Sequence, residues 1–462
     1  MNRITPENKA KAEQLIDEII QNSGAVGLAA CIIDTAGNTE YELYRGVRDT
    51  ASAEAPDGET IFGLASVTKS MTAAGILQLA DAGRLSLNDP VSRYIPEFTN
   101  RHTETVTIAH LLSHAGGFFP QSRITVDMVQ KSKDKEPAYD GQLTGDAVKL
   151  VAERLDALTA EHGLIGRPGE YFSYCNDGFG LLSEIIHRCS GSTSYAQRMH
   201  DSLFAPLGMT RTSMEFIAPA NDENAAVLYR KKDGVLYGDR NYRDNAFALH
   251  GGGAAKSCMN DMKKYLGMWL NEGRSTDGVR VLSEYSVREA VKPRQPYDLC
   301  GTYGYGLSCR TCGPFRIFGH GGSLPGVSSN IAFCYDAGCA VIVLCNTSGI
   351  PVSAVSGILF RMYAGMDPEP ERVTCTVPWP QTLIDAVCGT YASEEGTTVE
   401  IYRCADGSVG LREDGEEKTL ITCGERTAIV RNPYTDTVVR PVFNETRGYY
   451  ALLYGSRIIP RV

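Results

Sequence analysis

The sequence predicts a mixed α+β main domain followed by a small all-β domain, and three observations carry that prediction. β-rich runs lie near both ends of residues 1–366, with helical periodicity between them. A proline-rich passage interrupts the chain at 367–381, and beyond it, over 382–462, short β-type runs recur between Gly, Asp and Asn turns. At 462 residues the chain also exceeds the usual size of one hydrophobic core, which agrees with two units of unequal size.

The first element is a capped surface helix. Thr5 suits its N-cap and Pro6 its first turn, while Leu15, Ile16, Ile19 and Ile20 form one apolar face. AVGLAACIID and NTEYELYRGVRD then read as a β-hairpin across the turn Thr35–Asn38. The hairpin leads into GLASVTKSMTAAGILQLADAG, a helix with a buried stripe at Met71, Ala74, Ile76, Leu77 and Ala80. Residues 107–218 are mostly helix and loop, including TIAHLLSHAGG, GDAVKLVAERLDAL, GFGLLSEIIHRCSG and LFAPLGM; the polar run QKSKDKEPAYDG reads as a mobile surface loop. From Tyr305 strands return as YGLSCR, PFRIFGH, SSNIAFCYD and GCAVIVLCN, and the helix SAVSGILFRMYAG closes the unit. Pro368, Pro370, Pro378 and Pro380 fix an extended connection to TTVEIYRC, SVGLRE, TAIVR, TVVRPVF and YYALLYG.

Composition narrows the function classes. The formal net charge is −10 with no Lys/Arg-rich block, so a nucleic-acid or anionic-membrane surface is disfavoured. The start of the chain shows no basic region followed by an apolar run and a cleavage site, and no apolar run reaches the ~18 residues of a membrane helix, so a cytoplasmic protein is expected. In that setting the 14 cysteines are expected to stay reduced, with Cys31, Cys334, Cys339 and Cys345 acting as small hydrophobes inside apolar runs. Cys309 and Cys312 have zinc-like spacing, but Gly313-Pro314 beside them reads as a hairpin tip, and no metal is expected there.

Three short constellations carry chemistry. Ser66 and Lys69 stand one helical turn apart at the head of an apolar helix, where burial would favour a neutral amine able to take the serine proton. The pair Ser132–Lys135 has the same spacing within the charged loop, which cannot desolvate a lysine. On its own, Ser66–Lys69 is equally readable as a serine cap beside a snorkelling lysine. Tyr174 and Asn176 form the second element just before a helix. A phenol beside an ammonium group loses its proton more easily, so Tyr174 can shuttle a proton, and Asn176 offers both a donor and an acceptor; the structural alternatives are a buried aromatic and a helix cap. The third is His320-Gly321-Gly322-Ser323 after an apolar strand, where glycines admit a substrate backbone, the Ser66 and Ser323 N–H groups can hold an oxyanion, and His320 can position a ligand carbonyl or carboxylate. His250-Gly-Gly-Gly253 lacks the Gly-x-Ser-x-Gly elbow that would make it a lipase oxyanion hole, and reads as a loop bordering the cleft. His110 and His114 have zinc-like spacing without an intervening glutamate and read as structural.

In this order, Ser66-Val-Thr-Lys69, Tyr174-Cys175-Asn176 and His320-Gly321-Gly322 resemble the serine β-lactamase and penicillin-recognising peptidase superfamily, in its class C-like branch of D-aminopeptidases, DD-carboxypeptidases and carboxylesterases. The similarity runs over roughly residues 25–365, including LLSHAGGF, LFAPLGMTRT, GGGAAKSCMNDMKKYL and GHGGSLPGVSS. The resemblance implies an antiparallel sheet flanked by helices, a helical subdomain and a cleft between them. It also implies Ser66 as acylated nucleophile, Lys69 and Tyr174 as proton managers in either order, Asn176 orienting substrate, and the Ser66 and Ser323 amides holding the oxyanion, with no cofactor or metal. His320-Gly-Gly stands where class C β-lactamases carry Lys-Thr-Gly, which points away from penicillin turnover. The segment CGTYASEEGTTVEIY is similar to the lipocalin-like barrels appended to some peptidases of the branch. The expected activity is hydrolysis of small peptides or amides, including those with D-residues, through an acyl-enzyme. An esterase, lactonase or acyltransferase using the same residues, and a ligand-binding protein without turnover, are the alternatives. The partner expected is a small-molecule or short-peptide substrate, and no oligomeric state is predicted.

Overall fold

The computed structural model describes residues 4–98, 105–119, 151, 153, 163–215, 219, 221–242 and 249–462. The predicted loop 130–141, with its Ser132–Lys135 pair, and all but Val151 and Glu153 of the predicted helix 145–158 lie outside the described residues.

An eight-stranded antiparallel sheet forms the spine. Its strands are β1 (Gly27–Asp34), β2 (Thr39–Gly46), β3 (Gln295–Pro296), β4 (Thr302–Tyr303), β5 (Ser308–Cys312), β6 (Phe315–Leu324), β7 (Val327–Cys334) and β8 (Cys339–Cys345), in the spatial order β2-β1-β8-β7-β6-β5-β4-β3. The predicted N-terminal hairpin is β1–β2, and β1 pairs with β8 so that Ile32 faces Val341. Strands from the two ends of the main unit therefore pair side by side in one sheet, β1 against β8, and helices cover it.

Helices α1 (Pro6–Ser23), α2 (Thr68–Asp81), α3 (Asn176–Ser190), α4 (Leu249–Gly253), α5 (Met259–Leu270) and α6 (Val352–Tyr363) surround this sheet. Strand β8 is buried along its whole length because both faces are covered. The two-residue period divides its side chains: Ala340, Ile342 and Leu344 join the core beneath α2, α3 and α5, while Val341 and Val343 join the core beneath α1 and α6. α1 begins as expected, with the Thr5 hydroxyl accepting from the Asn8 N–H and Pro6 in the first turn; Gly24 closes it in the left-handed conformation.

Residues 367–380 have no regular structure. Beyond them come helix α7 (Gln381–Val387) and strands β9 (Gly389–Ala392), β10 (Thr398–Arg403), β11 (Val409–Glu413), β12 (Glu416–Lys418), β13 (Leu420–Gly424), β14 (Thr427–Arg431), β15 (Asp436–Asn444), β16 (Gly448–Tyr454) and β17 (Arg457–Pro460). β9–β12 make one sheet and β13–β17 another, and a bridge between Tyr391 and Arg461 ties β9 to the residue after β17. Both sheets bury side chains in a shared core that includes Trp379, Val387, Ile401, Leu411, Val430 and Leu452. This C-terminal unit leans on the main one: Val442, Ala451, Leu453 and Ile458 pack with Phe119 and Ile165, and the Arg440 guanidinium donates to the Asp298 carbonyl at 2.8 Å. Among the described residues no helix is long and apolar enough to cross a membrane.

Candidate active site

Ser66 stands where the chain turns from a short ladder, Phe62–Gly63 against Lys256–Ser257, into α2. The turn is sharp. Ala65 takes a left-handed φ of 47°, a conformation that costs a non-glycine residue about 1–2 kcal/mol. Two contacts hold it: the Leu64 N–H donates to the Ala255 carbonyl at 2.9 Å, and the Leu64 carbonyl accepts from Ser329 Oγ at 2.6 Å. Ser66 is thereby presented on a 3-10 turn, Ala65–Val67, facing β6. One turn further on, Lys69 places Nζ 3.1 Å from Ser66 Oγ and 2.7 Å from the Gly252 carbonyl oxygen. The lysine is fully buried and no carboxylate pairs with it among the described residues. Burial, helped by the positive charge of Arg457, pushes its pKa well below that of a free lysine, which favours the neutral amine beside the serine.

Tyr174 lies in the extended segment before α3. Its ring stacks on His114 with centroids 4.1 Å apart, and the Lys69 amine sits 4.8 Å from the same ring. The sequence argument expected an ammonium group to acidify this phenol. Burial instead disfavours the charged form of Lys69 and raises the Tyr174 pKa, which the Ser66 hydroxyl and Arg457 pull back only in part, so the phenol keeps its proton at neutral pH. Cys175, not Asn176, occupies the N-cap of α3. Asn176 is the first helical residue and lies against Gly252: a Cβ on Gly252 would stand 3.3 Å from Lys69 Nζ and 3.9 Å from Asn176 Oδ1. It thus flanks Lys69 and is not among the residues lining the cavity in front of Ser66.

His320, Gly321, Gly322 and Ser323 all lie on β6. β5 pairs with β6 only as far as Gly319, which leaves this stretch open on one edge, while β7 pairs with the other. A two-residue turn at Pro325-Gly326 closes the β6–β7 hairpin, so hydrogen-bonded pairs alternate from Leu324–Val327 and the N–H groups of Ser323 and Gly321 point to the open edge. Gly322 runs directly beside the nucleophile turn: a methyl there would meet the Leu64 carbonyl oxygen at 2.3 Å and the Ser66 nitrogen at 3.0 Å. His320 has both ring nitrogens engaged, Nε2 with the Tyr303 hydroxyl at 2.9 Å and Nδ1 with the Gly321 carbonyl at 2.6 Å. Burial, with Lys69 nearby, lowers its pKa to about 3, so it is a neutral ring that fixes the strand edge and has no nitrogen free to reach out to a ligand.

Ser66, Tyr174, His320, Gly321, Gly322 and Ser323 line one cavity of about 320 Å³. Sequence reasoning missed several of its neighbours. Gly252, in the segment read as a bordering loop, belongs to the helical turn α4 and supplies the carbonyl that holds Lys69. Tyr303 bonds His320, and Ser456 and Arg457 enter from the C-terminal unit. The other histidines take structural places. His110 closes a capping box with Thr107, and His114 accepts the Cys175 N–H at 3.1 Å beneath Tyr174. Cys309 and Cys312 lie on β5, leading into the β5–β6 hairpin.

The family model described as Beta-lactamase matches residues 12–364. The chain belongs to the beta-lactamase family. Its members are generally serine hydrolases. Among curated relatives, "Protein flp" of Staphylococcus aureus (strain NCTC 8325 / PS 47) is 30% identical over 221 residues, covering 46% of this chain and 40% of the relative. The chain thus spans well under half the length of that protein. "Penicillin-binding protein 4" of Amycolatopsis lactamdurans is 28% identical over 336 residues, 70% of this chain and 82% of the relative. Two solved structures share the fold. An octameric penicillin-binding protein homologue from Pyrococcus abyssi matches with a TM-score of 0.67 at 24% identity, covering 97% of this chain and 99% of that one. A D-stereospecific amidohydrolase from Streptomyces sp. matches with a TM-score of 0.59 at 21% identity, over 77% and 99% respectively.

Proposed function

We propose that the protein is a serine hydrolase that forms an acyl-enzyme on Ser66 and cleaves amide bonds in small peptides, including those with D-residues. The observation that carries this reading is the hydroxyl of Ser66, 3.1 Å from a fully buried amine and sharing a cavity with the phenol of Tyr174. Neutral Lys69 accepts the Ser66 proton as Oγ attacks the substrate carbonyl carbon. The N–H groups of Ser66 and Ser323 receive the oxyanion. When the C–N bond breaks, Tyr174 gives its proton to the departing nitrogen and recovers one from the Lys69 ammonium; water then releases the acyl group by the reverse relay. The D-residue preference draws support from the name of the Streptomyces amidohydrolase.

The test is a hydrolysis panel of D- and L-aminoacyl amides, dipeptides, short esters and β-lactams, run on the wild type and on Ser66→Ala. Amide or peptide turnover that vanishes in Ser66→Ala supports the reading, and turnover confined to esters would replace it. Within that panel Tyr174→Phe is expected to retain its fold, because the ring still stacks on His114, and to lose about 10²- to 10⁴-fold in acylation rate. Unchanged turnover would remove Tyr174 from the proton relay.

A further inference from the structure

Behind the sheet, on the face opposite the core of α2, α3 and α5, two further spaces adjoin the Ser66 cavity. One, of about 690 Å³, lies between the back of β5–β7 and helix α6; the other, of about 670 Å³, lies between α1, α6, residues 369–372 and residues 433–438 of the C-terminal unit. Shared walls join them to it. Tyr297 and Ser353 line all three, and Gly321 and Asn330 line both the Ser66 cavity and the space beneath α6. We propose that the departing portion of the substrate threads past Gly321 into the space beneath α6, making peptides with about four or more residues beyond the scissile bond the preferred substrates. The proposal rests on the hydrolase reading and adds a substrate class to it.

The register of the sheet shows how the passage crosses it. His320 pairs with Ile331, which belongs to the core beneath α2, α3 and α5, so the next pair, Gly321 and Asn330, faces α6. Because β5 leaves β6 at Gly319, a chain can round the open edge at Gly321 and meet the Asn330 amide, which a Cβ on Gly321 would approach at 3.5 Å. Helix α6 turns Ser353, Ser356, Gly357 and Phe360 to the space, one face at helical spacing. Gly357 is the informative member. Glycine is a poor helix former, yet a Cβ here would meet nothing within 4 Å among the described residues, so close packing does not require it and its effect is to keep the space open. Polar groups face the same space without partners. Ser356 is only 4% exposed, and neither its hydroxyl, the Ser353 hydroxyl nor the Asn330 amide has a hydrogen-bond partner among the described residues. Buried polar groups are nearly always bonded, so these point to a polar occupant. Interleaved with Ile317, Ala332 and Phe360, they suit a peptide, whose amides alternate with side chains, better than a hydrocarbon chain. Direction follows from Tyr174. The phenol that protonates the departing nitrogen has its ring 6.1 Å from that of His320, so the departing portion starts at this end of β6. From Gly321 back to Ile317 the strand runs about 13 Å, the span of about four extended residues.

The experiment measures kcat and KM for alanine peptides cleaved after their first residue, with one, three or five residues on the departing side, and for a matched set lengthened on the acyl side instead. The first residue is supplied in L- and D-forms. In the wild type kcat/KM is expected to rise about 10- to 100-fold from one to five departing residues, chiefly through KM, and to stay flat in the acyl-side set. Gly357→Leu fills the space from a helix position that admits a side chain. It is expected to melt at or above the wild-type temperature and to remove the gain, while the shortest peptide, which does not reach α6, is cleaved as before. Ser356→Ala, which loses only the hydroxyl, is expected to remove part of it. A flat departing-side series in the wild type, a gain confined to the acyl side, or an undiminished gain in either variant overturns the proposal while leaving Ser66 as nucleophile. Cleavage of none of these peptides by a protein that a fluorophosphonate labels at Ser66 overturns the peptide reading and this proposal with it, and absence of labelling overturns the hydrolase reading itself.

Discussion

Replacing Lys69 with methionine is expected to leave Ser66 in place and slow its acylation by about 10³- to 10⁴-fold, the upper range for loss of a positioned general base. Methionine has nearly the length of the lysine stem and fills the same buried space against the Tyr174 and Phe179 rings. The backbone turn that presents Ser66 depends on Ala65, Leu64 and Ser329, and none of these contacts involves the amine. Two pH signatures accompany the rate loss. In the wild type, acylation should fall as pH drops through the depressed Lys69 pKa, because the protonated amine cannot accept the Ser66 proton; in Lys69→Met this dependence should be absent. Stability moves in the same direction. The unfolded chain holds the extra proton up to about 10.5 and the folded protein sheds it well below that, so the Lys69 contribution to stability rises with pH across this interval. The difference in melting temperature between wild type and Lys69→Met should therefore grow in the wild type's favour as pH rises toward 10. Equal rates of fluorophosphonate reaction in the two proteins would show that the amine is not the base.

The second large effect is expected at Gly322. An alanine methyl there would stand 2.3 Å from the Leu64 carbonyl oxygen and 2.4 Å from Ser329 Oγ, closer than real contacts allow, and the first of these is backbone that cannot swing away. To relieve the overlap, β6 must move off the nucleophile turn and carry the Ser323 N–H with it. A displacement near 1 Å at an oxyanion donor costs about 10²-fold in rate, and overpacking of this kind destabilises by about 1–3 kcal/mol. Gly321→Ala is the control for stability. Its nearest neighbour would be Asn330 Nδ2 at 3.5 Å, an ordinary contact, and its melting temperature should match the wild type. Calorimetry of the two variants with stopped-time labelling of Ser66 checks both halves. A Gly322→Ala protein with wild-type stability and rate would contradict the close approach of β6 to Ser66.

What could be read from residues alone follows the range of the interactions concerned. The Ser66–Lys69 pair is a local matter of one helical turn, and the apolar stripe behind it forecast the burial that neutralises the amine. The β-rich runs at both ends of the main unit forecast strands, which the structure pairs as β1 with β8, and the four prolines forecast the irregular stretch before α7. The C-terminal runs appeared as strands for the same reason, although β9, β12, β13 and β17 were too short or too mixed in pattern to stand out. The Lys69 partner at Gly252 had no such signal, because a carbonyl is common to every residue and only the tertiary approach of α4 selects this one. The protonation of the Tyr174 phenol, by contrast, escaped the local argument. The expected acidified phenol required a charged lysine, whereas complete burial penalises an unpaired ammonium and the phenol's own burial raises its pKa. Arg457 was invisible for a topological reason: it comes from the other end of the chain and reaches the cavity only because β16 and β17 dock against Ser173 and Tyr174.

The most direct test of the account is mass spectrometry of the intact protein and its peptides after reaction with a fluorophosphonate. A single stoichiometric adduct mapped to Ser66, formed by the wild type and lost in Ser66→Ala, is the expected result. An adduct on a different residue, or equal labelling of Ser66→Ala, would contradict it.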